Sequence, residues 1–380
     1  MKKAAQIVVI ALVVLALLSG TLRAVFFPKD INTYETRPAK QLPELSFSGF
    51  LSGEYQNAFE AALSDQVPMS QYFKKAYNEL TSLVVKAGVD AVTADNPDTV
   101  IHYNGTKMYR GYMLYTVSDF ESLKSGYDIM AQSYKAAMEA NPDTQFWFYY
   151  VESDACCDVV TGEKNPSYEY FKNALGLDAE NFGRLEINSF EEFSRYFRKT
   201  DHHWNHIGSY KAYLEILDLM GIEDDSLVPV EERVLETEYV GTKGVGARLP
   251  SFAEYPDVYF FDYPQLGAEY GHEQLYRDGY ETNFVYSSFY GGDEPEFIFD
   301  TGRTDRENIL ILGDSFDNAI LKLLASHFGK TFSLDLRYYV GEDGSAGLNI
   351  TEYINQNNID KVLVVGSDFL YNDPTFAVRS

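Results

Sequence analysis

Two short blocks hold the residue types from which covalent chemistry could be built. Residues 200–204 read Thr-Asp-His-His-Trp, setting an acid, two imidazoles and an indole side by side as Asp201, His202, His203 and Trp204. Far downstream, residues 313–316 read Gly-Asp-Ser-Phe, and Ser315 there lies just beyond the apolar run 308–312. A serine hydroxyl is a weak nucleophile until a base takes its proton, and that base needs a third group to orient it. The chain supplies all three types, so hydroxyl-based acyl chemistry is the first hypothesis. An aspartate two residues ahead of a histidine can steer that ring within a tight loop and leave its other nitrogen free. His203 is then the expected base, and His202 points elsewhere. Other readings stand beside this one: Asp201, Asp314 or Ser315 as helix N-caps, and His202 with His206 as an i,i+4 pair on a metal. A zinc hydrolase would carry a glutamate where this chain has His203, so no metal and no cofactor is expected.

The elements that must position these blocks read as alternating strands and helices. Apolar periodicity predicts strands over 144–151, 184–187, 308–312, 331–336 and 361–365. It predicts helices over 119–139, 166–175, 190–197, 206–219, 316–328 and 350–357. Strands spaced by helices of this length imply an α/β fold with a parallel sheet flanked by helices. Ser315 then sits at a strand-to-helix junction on the carboxyl edge of that sheet, where open α/β folds place ligands. Its N–H, at a helix start, is a ready donor to a developing oxyanion. The Tyr- and Gly-rich stretch 222–306 reads as a β-rich insertion covering the active edge. Upstream, 54–87 has helical spacing broken at Pro68, and 100–114 reads as a hairpin turning at Asn104-Gly105. The expected organisation is 1–27 as signal anchor or signal peptide, 28–117 as linker, helices and hairpin, and 118–380 as the catalytic domain.

Composition narrows the partners. The 380 residues carry 57 acidic and 31 basic side chains, a formal net charge of −26, which repels nucleic acid and anionic lipid headgroups. Cys156 and Cys157 are adjacent and alone, so there is no disulfide framework. The 30 tyrosines and 26 phenylalanines suit half-buried sheet and loop positions, with sugar stacking as the alternative for any one of them. Lys2 and Lys3 precede an apolar run over 7–18, followed by Ser19-Gly20 and Arg23. That pattern predicts export, with an uncleaved N-terminal helix anchoring the body outside the cytoplasmic membrane. Cleavage and secretion is the alternative.

Taken together, Thr200-Asp201-His202-His203-Trp204-Asn205, followed by Gly208, Tyr210 and Tyr213, resembles the signature of the bacterial DHHW protein family. Residues 313–318, Gly-Asp-Ser-Phe-Asp-Asn, with Asp335-Leu336-Arg337-Tyr338, look like that family's C-terminal half. The family is similar to the alginate O-acetyltransferases, which have an SGNH-hydrolase-like fold. The resemblance implies Ser315 as nucleophile, His203 as base and Asp201 as its orienter, in a chain order reversed from ordinary SGNH esterases. It implies acetyl transfer onto a polysaccharide acceptor, with a membrane-bound acyltransferase passing the acetyl group outward. Asn318, Arg337 and the backbone N–H of Gly292 are the candidates for a second oxyanion or substrate contact, and Trp204 for packing or sugar stacking. A carbohydrate esterase using the same three residues, or a non-catalytic glycan-binding envelope protein, are the alternatives.

Overall fold

A computed structural model describes residues 2–32, 37–66, 70–177, 180–264, 266, 268–271, 286, 290–291, 293–340 and 347–380. The chain divides into two compact units. Among the described residues, the first takes those up to 88 with one short later piece, 248–251. It holds helices Lys2–Phe26 and Glu54–Gln66 and most of Ser70–Thr93. The expected break at Pro68 lies outside the described residues, between the last two helices. Among the described residues, no helix is long and apolar enough to cross a membrane, which leaves the expected anchor unsupported. The continuous apolar stretch 7–18 gives way to Ser19, Gly20 and Arg23 well before the roughly 20 residues a span requires.

The second unit is built on a seven-stranded sheet. Its strands are β1 (Gln145–Val151), β2 (Phe182–Leu185), β3 (Ala268–Gly271), β4 (Glu296–Asp300), β5 (Ile309–Gly313), β6 (Lys330–Asp335) and β7 (Lys361–Ser367). The order across the sheet is β3-β4-β6-β5-β7-β1-β2. The five strands from β6 to β2 run parallel, so their carboxyl ends share one edge. Strand β1 shows why the sheet is buried on both faces. Trp147, Tyr149 and Val151 point into one core with helices Phe190–Tyr196 and His206–Leu219, whereas Phe146, Phe148 and Tyr150 point into the other with helices Phe120–Ala140 and Ser167–Leu175. The result is the expected mixed α/β layering, helix on sheet on helix.

Three local expectations need correction. The insertion does more than cover an edge: β3 and β4 join the main sheet as antiparallel strands beside β6. Antiparallel pairing needs no crossover helix, so a Tyr- and Phe-rich segment can extend the sheet directly. The expected hairpin is a three-stranded sheet, Ile101–Tyr103, Thr106–Tyr109 and Tyr112–Leu114. Arg110-Gly111, with φ of 47° and 81°, repeats the positive-φ turn that Asn104-Gly105 makes at 45° and 79°. The expected helix 316–328 is a 3-10 turn, Asp317–Ala319, followed by the short helix Leu321–Ala325. Here the Asp317 carboxyl folds back over Gly313, where an added Cβ would lie 2.2 Å from Asp317 Oδ2, and the Ile320 N–H closes onto Asp317 O.

Candidate active site

Strand β5 delivers Ser315 to the carboxyl edge, and its neighbour Asp314 fixes the junction. The buried Asp314 carboxylate accepts from Phe316 N at 3.0 Å, and from Ser367 N and Oγ at 3.0 and 2.8 Å. The end of β7 is thereby tied to the turn that holds the serine. Gly366 permits this approach, since a Cβ there would lie 2.9 Å from Asp314 Cγ. The Ser315 backbone N–H meets no protein acceptor among the described residues.

The Asp-His-His-Trp block forms a tight loop, and Trp204 packs against Phe316 in the same core. Phe197 and Trp204 pair across it, Arg198 N donates to His203 O at 3.2 Å, and Asn205 N donates to Tyr196 O at 2.7 Å. The N-cap of the following helix is Asn205, whose side chain accepts from Ile207 N and Gly208 N, so Asp201 does not serve as the cap. Gly208 lets the loop close, because a Cβ would sit 2.3 Å from Tyr196 O.

These elements bring Ser315, His203 and Asp201 into one hydrogen-bonded line. His203 Nε2 lies 2.7 Å from Ser315 Oγ, and His203 Nδ1 lies 3.0 Å from Asp201 Oδ1. Burial and the neighbouring His202 depress the His203 pKa, although the Asp201 charge opposes them, so the ring is neutral at pH 7 with Nε2 able to accept. Burial pushes the Asp201 carboxyl up, but the His203 charge and hydrogen bonds from both histidines hold it well below the usual carboxylate range. A neutral imidazole between an ionised carboxylate and a hydroxyl can take the hydroxyl proton as the oxygen attacks a carbonyl.

His202 departs from its expected place as a bystander. Its Nδ1 lies 3.0 Å from the same Asp201 Oδ1 and 2.6 Å from Thr242 Oγ1, and its ring lies 3.9 Å from that of His203 between centroids, tilted by 36°. One oxygen can gather several short donors in a turn, which the spacing rule did not capture. His206 is not brought to His202; its Nε2 meets Glu232 Oε1 at 2.9 Å, which dissolves the i,i+4 metal pair. Asp201, His202 and His203 do place one ligand atom each within 4.8 Å of one another. A cation there would have to take the Asp201 oxygen away from His203.

The remaining candidates fall differently. Trp204 is fully buried and donates from Nε1 to the Tyr286 hydroxyl at 3.2 Å, so its face packs on protein and is not open to sugar. Asn318 Nδ2 donates to Asp293 Oδ1 at 2.8 Å. Arg337 forks onto Asp335 at 2.9 and 2.6 Å and reaches Asp293 at 3.1 Å. Both side chains thus converge on Asp293, and neither is directed at Ser315. Gly292 lies outside the described residues. A cavity of about 260 Å³ flanks the loop, lined by Arg195, Arg198, Lys199 and Glu254 among others, but not by Ser315 or His203.

Sequence reasoning missed a segment of the insertion, Gly241-Thr242-Lys243. Gly241 N donates to Thr200 Oγ1 and Thr242 Oγ1 donates to Asp201 Oδ1, both at 3.0 Å. Lys243 Nζ reaches Asp154 Oδ2 at 2.7 Å, a pair with almost no exposure, just past the end of β1. A lysine between glycines in a polar insertion gave little signal. Tyr286 was missed for the same reason, although its ring lies flat on His203.

The fold and this geometry define an α/β protein with a hydroxyl, imidazole and carboxylate aligned at the carboxyl edge of its sheet. The DHHW protein family model matches residues 182–334, a stretch that includes both blocks. Bacillus cereus PatB1 carrying a sulfonyl adduct shares the fold at a TM-score of 0.55 and 18% identity, over 74% of this chain and all 100% of that one. A DHHW family protein from Eubacterium siraeum shares it at 0.53 and 17% identity, over 72% of this chain and 94% of that one. The O-acetyltransferase domain of Pseudomonas putida AlgJ overlaps at 0.39 and 10% identity, over 72% and 92%, a distance at which it bears on neither fold nor function. No curated protein matches the chain in sequence.

Proposed function

We propose that the protein is an SGNH-like O-acyltransferase that moves acetyl groups onto hydroxyls of a cell-envelope polysaccharide or exopolysaccharide. The observation that carries the reading is the unbroken line from Asp201 Oδ1 through His203 to Ser315 Oγ, at 3.0 and 2.7 Å. His203 Nε2 takes the Ser315 proton as Oγ attacks the acetyl carbonyl, then returns it to the departing donor group, leaving acetyl-Ser315. In the second half His203 takes the proton of the acceptor hydroxyl. That oxygen attacks the ester carbonyl, and Ser315 Oγ leaves with the proton back from His203. The Ser315 N–H, which meets no protein acceptor among the described residues, is the donor assigned to the negative oxygen of each tetrahedral intermediate. The exported location rests on Lys2, Lys3 and the apolar run that follows. Acetyl-CoA is absent outside the cytoplasm, so the donor in this reading is a membrane-bound acyltransferase.

The test uses purified protein, p-nitrophenyl acetate and an oligosaccharide acceptor. Ser315→Ala is expected to lower the rate on the order of 10⁴-fold while leaving the fold intact. Mass spectrometry after phenylmethylsulfonyl fluoride should find the label on Ser315, by analogy with the sulfonyl adduct of PatB1. Acetylated sugar that depends on Ser315 supports transfer. Ester hydrolysis unaffected by sugar points instead to an esterase, and wild-type activity in Ser315→Ala removes the serine from the chemistry altogether.

A further inference from the structure

We propose that Thr242 and His202 are positioning residues for Asp201, so that the unit aligning the base has five members and not three. The inference rests on the reading of Ser315, His203 and Asp201 given above. Its ground is the one-sidedness of the Asp201 carboxylate. Every contact described for it falls on Oδ1: the backbone N–H groups of His202 and His203 at 2.6 and 3.3 Å, His203 Nδ1 at 3.0 Å, Thr242 Oγ1 at 3.0 Å and His202 Nδ1 at 3.0 Å. Oδ2 is buried and meets no partner among the described residues. A carboxylate held through one oxygen can rotate about its Cβ–Cγ bond, so the donors on that oxygen determine where it points.

The donor directions form a consistent chain. The His202 Nδ1–H donates to Thr242 Oγ1, the Thr242 hydroxyl donates to Asp201 Oδ1, the His203 Nδ1–H donates to the same oxygen, and the Ser315 hydroxyl donates to His203 Nε2. The two Nδ1–H groups and the two hydroxyls each donate once, and His203 Nε2 accepts. The Thr242 backbone is itself fastened on both sides. Gly241 abuts Asp201, where a Cβ would lie 2.3 Å from the aspartate's own Cβ, and Lys243 is paired with Asp154 inside the protein. Thr242 is exposed and the His202 side chain is 30% exposed, so substitution there leaves the core untouched.

The experiment measures p-nitrophenyl acetate turnover for the wild type, Thr242→Val, Thr242→Ser, His202→Phe, His202→Asn and Ser315→Ala, each checked for its thermal unfolding midpoint. Thr242→Val keeps the shape of the side chain and removes the hydroxyl. It should lower kcat roughly 10-fold with KM unchanged, part of the 10² to 10⁴ that a positioned base supplies. Thr242→Ser should return kcat to within about threefold of wild type. His202→Phe, which keeps a ring over His203, should fall by a similar factor, and His202→Asn, which keeps a donor, should fall less. The low-field proton resonance of His203 Nδ1–H should shift or broaden in Thr242→Val and recover in Thr242→Ser. Wild-type kcat in both Thr242→Val and His202→Phe, with Ser315→Ala inactive, overturns the inference and leaves the triad standing. Failure of serine to rescue also overturns it, because the effect is then steric. An active Ser315→Ala overturns the reading beneath it.

Discussion

Tyr286 lies flat on His203, the ring centroids 3.8 Å apart and the planes 5° from parallel, while its hydroxyl accepts from Trp204 Nε1. The His202 ring also lies against the imidazole, 3.9 Å away between centroids and tilted by 36°. The tryptophan of the Asp-His-His-Trp block therefore has a physical role, since it seats the tyrosine that covers the base. The arrangement also explains the depressed His203 pKa, because the rings packed against it exclude the water that would stabilise an imidazolium.

Removing that cover should therefore have a directional effect. Tyr286→Leu exposes the ring, so the His203 pKa rises toward 6.5 and the acid limb of the pH–rate profile moves to higher pH. Tyr286→Phe keeps the stack and leaves the Trp204 N–H unpaired. It should cost about 1–3 kcal/mol of stability and leave the acid limb in place. Rate profiles and denaturant unfolding of the two variants check both expectations, and an identical acid limb in Tyr286→Leu contradicts the account.

In the wild type, the base works only while neutral. Activity should fall as pH drops through the folded pKa of His203, which lies below 6.5, so more than half of the maximal rate should remain at pH 6.5. Stability follows the same sign. Between 6.5 and the lower folded pKa the unfolded chain binds the proton and the native state does not, so His203 reduces stability as pH falls through that window. A pH titration of rate between 4.5 and 8, sampled roughly every half unit, locates the midpoint. A midpoint above 6.5 would falsify the buried, stacked environment.

Asp368 offers the opposite sign. It is buried at the start of the segment after β7, and burial, with the nearby Asp314 charge, raises its pKa to about 6. The native state keeps this proton to higher pH than the unfolded chain, so stability declines as pH rises from 3.8 through about 6 and stays reduced above. Asp368→Asn removes the penalty of ionisation. It should gain on the order of 2 kcal/mol at pH 7.5 and little at pH 4, measured by urea unfolding. A gain independent of pH would show that ionisation is not its cause.

The layered fold was legible because its signal is local. The strand over 144–151 alternates aromatic residues between two faces, and the helix over 206–219 begins at Asn205 and carries buried residues at helical spacing. The three central residues of the site were legible because two lie in one loop and the third follows a strand. What stayed hidden depends on contacts distant in sequence. Thr242 and Tyr286 reach Asp201 and His203 from 41 and 83 positions away, across an insertion without strong periodicity. The helix expected after Ser315 is interrupted more locally, where the Asp317 side chain folds back over Gly313 four residues before it, a contact that apolar spacing does not encode.

Gly241 provides the sharpest check on how tightly the acid is held. A Cβ at this position would lie 2.3 Å from Asp201 Cβ, 2.6 Å from its Cα and 2.7 Å from its Cγ, so neither main chain nor side chain could stay in place. Gly246, five residues on in helix Thr242–Ala247, has nothing within 4 Å of the same added atom. Alanine at 246 should be neutral or stabilising by up to about 1 kcal/mol, since glycine is the poorer helix former. Alanine at 241 should destabilise by about 1–3 kcal/mol through overpacking. It should also lower kcat more than any comparable loss of stability elsewhere, because the displaced atoms belong to the residue that orients His203. Thermal unfolding and ester turnover of the two alanine variants, measured side by side, separate the effects. Equal kcat in both would mean that Asp201 tolerates displacement and that its geometry does not limit the rate.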